Sequence, residues 1–359
     1  MSADVYCSAL ASGGGTGSFG SPLTLYELRT AGLSNNHVIG CLDDGTYTAD
    51  QADASGSAWC SVGLGLTNLT VLPLDAAGNF DPTARIRVDA SALNSFTAAF
   101  LLQGQRHHVF GLEIDGDSTG AGSGLVVQAP GSQVAHGVFE GVGSSGVSIL
   151  SADVAVLNCV CQDNGSHGIN MGSVDGIKVL DSLLKDNAGD GIAAASASTQ
   201  YALIARCIAQ GNTGRGIEVG INCMVSRCTA RDNGSDGFYE ASDGNTYHAI
   251  MATGNGGWGI NLDSGGNRSV VLQPFFGSGG ASNTLGQSSI AGEVFGAVSG
   301  DPAYTSSTDS TPGASSDALD EAQPSAYLVN GSTDADCGAI ERAANTTNDS
   351  GRAETIGVM

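Results

Sequence analysis

The chain has 359 residues, 54 of them glycine, and a formal net charge of −23. So acidic a balance, with no basic stripe, excludes phosphate-neutralising contact with nucleic acid, and no run approaches the roughly 18 apolar residues of a membrane-spanning helix. An apolar fraction of 41% supplies a sizeable core, while abundant Gly, Ser, Thr, Asn and Asp beside only two lysines, Lys178 and Lys185, predict short strands joined by turns rather than long helices.

The N-terminus, MSADVYCSAL, has no charged region followed by an apolar one, so no secretory signal peptide is expected. A short helix is predicted in the segment TLYELRTAG, where Thr24 and Glu27 form a capping box and Gly32 ends the helix. Further along, the chain repeats. VGSSGVSI from Val142, DNGSHGINM from Asp163, DNAGDGIAA from Asp186, GNTGRGIEV from Gly211, DNGSDGFYE from Asp232 and GNGGWGINL from Gly254 align on the pattern Asn-x-x-x-Gly-Ile. Their glycines, Gly146, Gly168, Gly191, Gly216, Gly237 and Gly259, are 21 to 25 residues apart, and Gly124 lies one step earlier.

A period near 22 that accepts insertions of a few residues fits one coil of a parallel β-helix, because extra residues bulge at corners without disturbing the stacked strands. Asn164, Asn187, Asn212, Asn233 and Asn255 tolerate a left-handed backbone, and each amide can bond its copy one coil away. The repeated glycine is expected to supply the positive φ of the corner. One residue after it, Val147, Ile169, Ile192, Ile217, Phe238 and Ile260 face the core; two after it, Ser148, Asn170, Ala193, Glu218, Tyr239 and Asn261 face solvent. The chain has nine cysteines and no CxxC pair, and Cys159, Cys161, Cys207 and Cys228 have inward parity as small apolar fillers.

At these residues the chain resembles the right-handed parallel β-helix repeat proteins, the pectin-lyase-like group of polysaccharide lyases, glycosidases, secreted surface proteins and phage tailspikes. The opening is similar as well: GGGTGSFGSPLTLYELRTAG and then HVIGCLDDGTYTA, from Gly13 to Ala49, where a helix would cover the open apolar end of the first coil. So is the closing region, GDPAYTSSTDSTPGASSDALDEAQ from Gly300 and DADCGAIERA from Asp334, with Asp320 and Cys337 where the family often has glycine and isoleucine. The resemblance implies an all-β, single-stranded right-handed parallel β-helix of about 22 residues per coil with a short N-terminal capping helix. Its parts would be a cap and first strand over 1–50, coils over 51–276 that are most regular from 120 to 276, last coils and a C-terminal cap over 277–342, and a polar tail over 343–359.

For function, the resemblance and the missing signal peptide point to a structural or adhesive protein of a phage particle. Such a protein would be tailspike-, fibre- or capsid-decoration-like, at the virion surface or extracellular. Its partners would be other virion or surface proteins and host or environmental polysaccharide, and a homotrimer is one assembly the family uses. The alternative is a polysaccharide lyase or glycoside hydrolase, although the family's Arg-x-Pro-x-x-Arg pattern is absent.

Stacked coils lie about 4.8 Å apart, so residues in one slot of successive coils are neighbours. Asp163, Asp186 and Asp190 offer hard oxygen ligands to calcium, or else form a solvated corner; no other cofactor is expected. His167 occupies an outward slot with Asp190 as its one partner, and Asp181 can pair with Arg206 across coils. The rule-breaking stretch is FYEASDGNTY, Phe238 to Tyr247, because Glu240 falls in an inward slot. Either the backbone bends and releases Glu240 to solvent, or Glu218 and Glu240 supply catalytic carboxylates in a groove whose sugar contacts are Tyr239, Trp258 and Asn261. The Asn-x-Ser/Thr triplets at Asn164 and Asn233 come from the repeat, and a third is at Asn330.

Overall fold

The computed structural model describes residues 3–12, 14–29, 31–43, 45–48, 58–93, 97–117, 122–194, 199–262 and 269–277, with strand segments at 285–286, 293–295 and 298–300. The closing region expected from Gly300 onward, Cys337, Asn330 and the polar tail fall essentially outside the described residues.

Three parallel sheets run the length of the molecule. One has twelve strands, from Val5–Cys7 through Ala155–Leu157 to Glu293–Phe295; one has eleven, from Thr46–Thr48 through Val160–Gln162 to Val298–Gly300; one has ten, from Ala58–Val62 through Ile169–Met171 to Leu285–Gly286. Each coil visits the ten-, twelve- and eleven-strand sheets in turn. In the twelve-strand sheet Gln133, Ala155, Lys178, Leu203, Met224 and Thr246 are successive partners, 21 to 25 residues apart. The expected period holds there and fails earlier, since Val38 pairs with Thr70 and Thr70 with His108 across longer insertions.

Side-chain alternation fills the interior. Val147, Ile169, Ile192, Ile217, Phe238 and Ile260 form a fully buried ladder, each side chain contributing about 1.5–3 kcal/mol of transfer free energy. Cys159, Cys161, Cys207 and Cys228 are buried free thiols, as the parity predicts, and so are the other four described cysteines, Cys7, Cys41, Cys60 and Cys223. Burial pushes the Cys159 thiol up to about 12, so these sulfurs act as apolar filler.

The corners follow a rule that sequence alignment missed: each of a coil's three corners turns on one left-handed residue. Asp153, Gly176, Tyr201, Asn222 and Gly244 lead into the twelve-strand sheet, His136, Asn158, Asp181, Arg206, Arg227 and Ala249 follow it, and Gly141, Asp163, Asp186, Gly211, Asp232 and Gly254 follow the eleven-strand sheet. Gly, Asn and Asp prevail in the first and third of these columns because they carry the smallest penalty for positive φ.

The repeated glycine has a different job from the one expected. Gly146, Gly168, Gly191, Gly216 and Gly237 are not among the positive-φ residues. A Cβ on any of them would lie 2.5–2.9 Å from the carbonyl oxygen of the corresponding glycine one coil on. These glycines are required by close approach of stacked backbones. The residue before the asparagine carries the left-handed turn instead.

The asparagines form the expected ladder, and they do so inside the protein. Nδ2 of Asn164, Asn187, Asn212 and Asn233 donates to Oδ1 of the next asparagine at 2.8–2.9 Å. Each also donates to a backbone carbonyl, as Asn187 does to Cys161 at 3.1 Å, while its Oδ1 accepts the preceding copy's backbone N–H, as from Asn164 at 3.2 Å. A buried amide so satisfied offsets its desolvation. It also removes Asn164 and Asn233 from the surface, so neither triplet presents an accessible acceptor.

At the N-terminal end the predicted helix is one turn of 3-10 helix, Tyr26–Arg29. The capping box is present, with Thr24 N donating to Glu27 Oε2 at 2.8 Å and Glu27 N to Thr24 Oγ1 at 3.2 Å. Leu25 and Leu28 are buried in the core, so the turn covers the first coils as expected. Gly32 does not close it through a positive φ.

Candidate functional site

The outer face of the ten-strand sheet presents one column of residues, Ser148, Asn170, Ala193, Glu218, Tyr239 and Asn261, aligned by strand register. Five are half-buried, and Ala193, expected to face solvent, is buried. The residue before each repeated glycine forms the rim: Ser145, His167, Asp190, Arg215, Asp236 and Trp258. This rim is more ordered than the outward slot expected from sequence, because its side chains cap the amides of the following coil. Asp190 N donates to His167 Nδ1 at 3.0 Å, Arg215 N to Asp190 Oδ1 at 2.6 Å, and Trp258 N to Asp236 Oδ1 at 2.7 Å. Neutral His167 therefore carries its proton on Nε2.

Arg215, Glu218 and Tyr239 lie together at the centre of this face. Arg215 Nη1 is 2.9 Å from Glu218 Oε2, and the guanidinium lies 3.4 Å from the centroid of the Tyr239 ring, a cation–π contact. Burial raises the Glu218 carboxyl above its ordinary range, Arg215 opposes the shift, and Asp190 adds to it. One coil further, Asn261 Nδ2 donates to Asp236 Oδ2 at 2.9 Å, and Trp258 is 40% exposed, the aromatic surface on this face open to a ligand.

These positions correct several expectations. Glu240 does not bend out to solvent: it is buried, in the inward register with Val219, and burial first, then Glu240, raises the Cys223 thiol and the Tyr247 phenol in the core. Glu218 and Glu240 therefore occupy opposite faces of one sheet and cannot flank a common bond. Arg215 covers a face of Tyr239, so the platform for a sugar ring is Trp258.

Asp163, Asp186 and Asp190 do not converge on a metal ion either. No group of three or more His, Cys, Asp or Glu suited to a metal occurs among the described residues. Asp163 and Asp186 occupy the left-handed corner, where Lys185 Nζ lies 3.0 Å from Asp186 Oδ2, whereas Asp190, four residues on, turns to the ten-strand face. Burial raises the Asp163 carboxyl, with Asp186 and Glu140 adding to the shift. The Asp181–Arg206 pair forms as predicted, with contacts of 2.6 and 2.7 Å; partly exposed, it contributes about 1 kcal/mol at most.

Sequence reasoning left Arg215 and Asp236 out of the site and assigned Asp190 to calcium and to His167 rather than to Glu218. Their slot reads Ser, His, Asp, Arg, Asp, Trp, a mixture without chemistry until coil stacking makes neighbours of residues more than 20 apart. The site is an open face. A cavity lined by Leu93, Ala98, Asp117, Ser123 and Val142 lies on earlier coils and has about 20 Å³ of space, room for one water.

Residues 103–274 match the family model described as "Right handed beta helix region". The chain folds as a right-handed parallel β-helix. The β-helix superposes on the crystal structure of pectate lyase Pel9A with a TM-score of 0.72 at 16% identity, over 94% of this chain and 96% of that one. It matches the A-module of the mannuronan C-5 epimerase AlgE4 of Azotobacter vinelandii with a TM-score of 0.58 at 13% identity, over 77% and 83%. It also matches ORF18 of Geobacillus virus E2, with a TM-score of 0.53 at 12% identity over 74% of this chain and 56% of the viral one. At such identities the likeness is one of fold. No curated protein matches the β-helix by sequence. No helix among the described residues is long and apolar enough to cross a membrane.

Proposed function

We propose that this β-helix is a glycan-contacting structural protein of a phage particle or cell surface, and that the glycan lies along the outer face of the ten-strand sheet from Asn170 to Asn261. The observation that carries the reading is the preorganised Arg215–Glu218–Tyr239 cluster beside the exposed Trp258. Side chains held by packing and ion pairing lose little entropy on binding, and an exposed indole offers the apolar face a pyranose ring stacks on. The fold is shared with a viral protein and with proteins whose names denote polysaccharide substrates, which supports the reading. Binding of the full chain to a broad glycan panel tests it, with Trp258→Ala expected to weaken capture at least about tenfold, roughly 1.4 kcal/mol. Failure to bind any glycan sinks the reading; absence of the protein from purified particles of its source removes the virion location.

A second reading, polysaccharide cleavage, is favoured by one observation: a carboxyl raised by burial beside a guanidinium, Glu218 with Arg215. The step this pair supports is proton abstraction by Glu218. It predicts unsaturated chain ends released by the native chain and lost with Glu218→Gln, and release undiminished in that variant rejects it.

A further inference from the structure

We infer that the glycan recognised by the ten-strand face is free of carboxylates, an uncharged pyranose chain rather than a uronate polymer. The inference rests on the glycan reading above and specifies its ligand class.

The first observation is the charge facing the site. Asp190, Glu218 and Asp236 bring three carboxyls to this stretch against one guanidinium, that of Arg215. Asp163 and Asp186 add carboxyls at the neighbouring corner, of which Asp186 is paired with Lys185. His167 adds a cation only when protonated. On a chain of net charge −23 the wider field has the same sign.

The second observation is that the guanidinium is already engaged. Arg215 Nη1 is 2.9 Å from Glu218, and the plane lies against Tyr239. A uronate carboxylate would have to share that one guanidinium with Glu218, adding a further negative charge beside Asp190 and Asp236. Like charges so placed repel strongly where water is partly excluded.

The third is what a neutral ring would meet. The Glu218 carboxyl has acceptor capacity beyond its contact with Arg215, which pyranose hydroxyls can fill as donors without adding charge. Between Asn170 and Glu218 the short, buried Ala193 leaves the face flat enough for a ring to approach, with Trp258 as the apolar contact.

The test measures binding of the full chain to neutral glucans, galactans and mannans and to polygalacturonate and alginate, at low and high salt, with calcium and with chelator. Neutral chains are expected to bind with affinity changing less than about twofold with salt, because no ion pair is made. Uronate polymers are expected to bind at least about tenfold more weakly at low salt, with the deficit shrinking as salt rises. Asp190→Asn with Glu218→Gln, checked for native circular dichroism, is expected to narrow the difference. Uronate binding equal to or tighter than neutral binding, with or without calcium, overturns the inference and leaves the glycan reading standing. No binding to either class overturns both.

Discussion

The Arg215 guanidinium is held between two partners from different slots, 3.4 Å from the Tyr239 ring centroid one coil on and 2.9 Å from Glu218 on its own coil. Replacing it with alanine removes the cation that holds the Glu218 carboxyl down against burial and Asp190. In Arg215→Ala the Glu218 pKa is therefore expected to rise further, read by carboxyl-detected NMR titration. Because Arg215 is about a third exposed, the stability loss is expected to be about 1 kcal/mol or less by thermal unfolding. A Glu218 titration unchanged in the variant contradicts the pairing.

The asparagine ladder is a stability element. Asn187→Ala leaves the Nδ2 of Asn164 and the Oδ1 of Asn212 each without a ladder partner and strips Cys161 O of a donor. With about 1–3 kcal/mol per buried polar group left unsatisfied, a loss of roughly 3 kcal/mol or more in denaturant unfolding is expected. Asn187→Asp should be no milder, since it buries a charge where a donor is required.

Gly191 tests the steric role of the repeated glycine. An added Cβ would lie 2.6 Å from Gly216 O and 3.0 Å from both Ala209 Cβ and Asn212 Nδ2. Gly191→Ala is expected to destabilise by about 1–3 kcal/mol, as overpacked cores do. By contrast Ala249, at φ 49°, has a left-handed backbone and should accept glycine with a gain of about 0.5 kcal/mol after the unfolded-state entropy is counted.

Acid should weaken the fold through one buried and one half-buried histidine. Burial lowers the pKa of His107 and of His248, and the ring of His107 is committed as acceptor, its Nδ1 taking Leu69 N–H at 3.1 Å. The unfolded chain then takes up these protons at higher pH than the folded one. Stability is full above the ordinary histidine pKa of about 6.5 and falls as pH drops below it, by at most about 1.4 kcal/mol per pH unit for each group. Chemical denaturation at pH 7 and pH 5 measures the slope, and His107→Gln should reduce it.

The thiols should be silent. Eight of nine cysteines are described, and all eight are buried, with Cys159 pushed up to about 12. Titration of the native protein with an aromatic disulfide reagent is expected to modify no more than one equivalent before unfolding, and nine afterwards. A second fast-reacting thiol in the native state contradicts the interior placement.

The residue pattern by itself determined the solenoid. A glycine recurring every 21 to 25 residues with an apolar neighbour on its C-terminal side admits few other folds, since each coil must bury the same slot against its copies. Inward cysteines, the asparagine ladder and the capping box were legible for the same reason: they depend on spacing along the chain or on identity at one repeated slot. The tertiary structure decided what depends on distances across coils. Gly168 and its copies are glycine because carbonyls stack against them, while Asp163 and Asp186 hold the left-handed turn. Glu240 stays inside. Arg215 and Glu218 are three residues apart on one coil, but Asp190 and Tyr239 join them only when the coils from 190 to 239 are stacked, because no local propensity records which side chain on the neighbouring coil will be there to meet them.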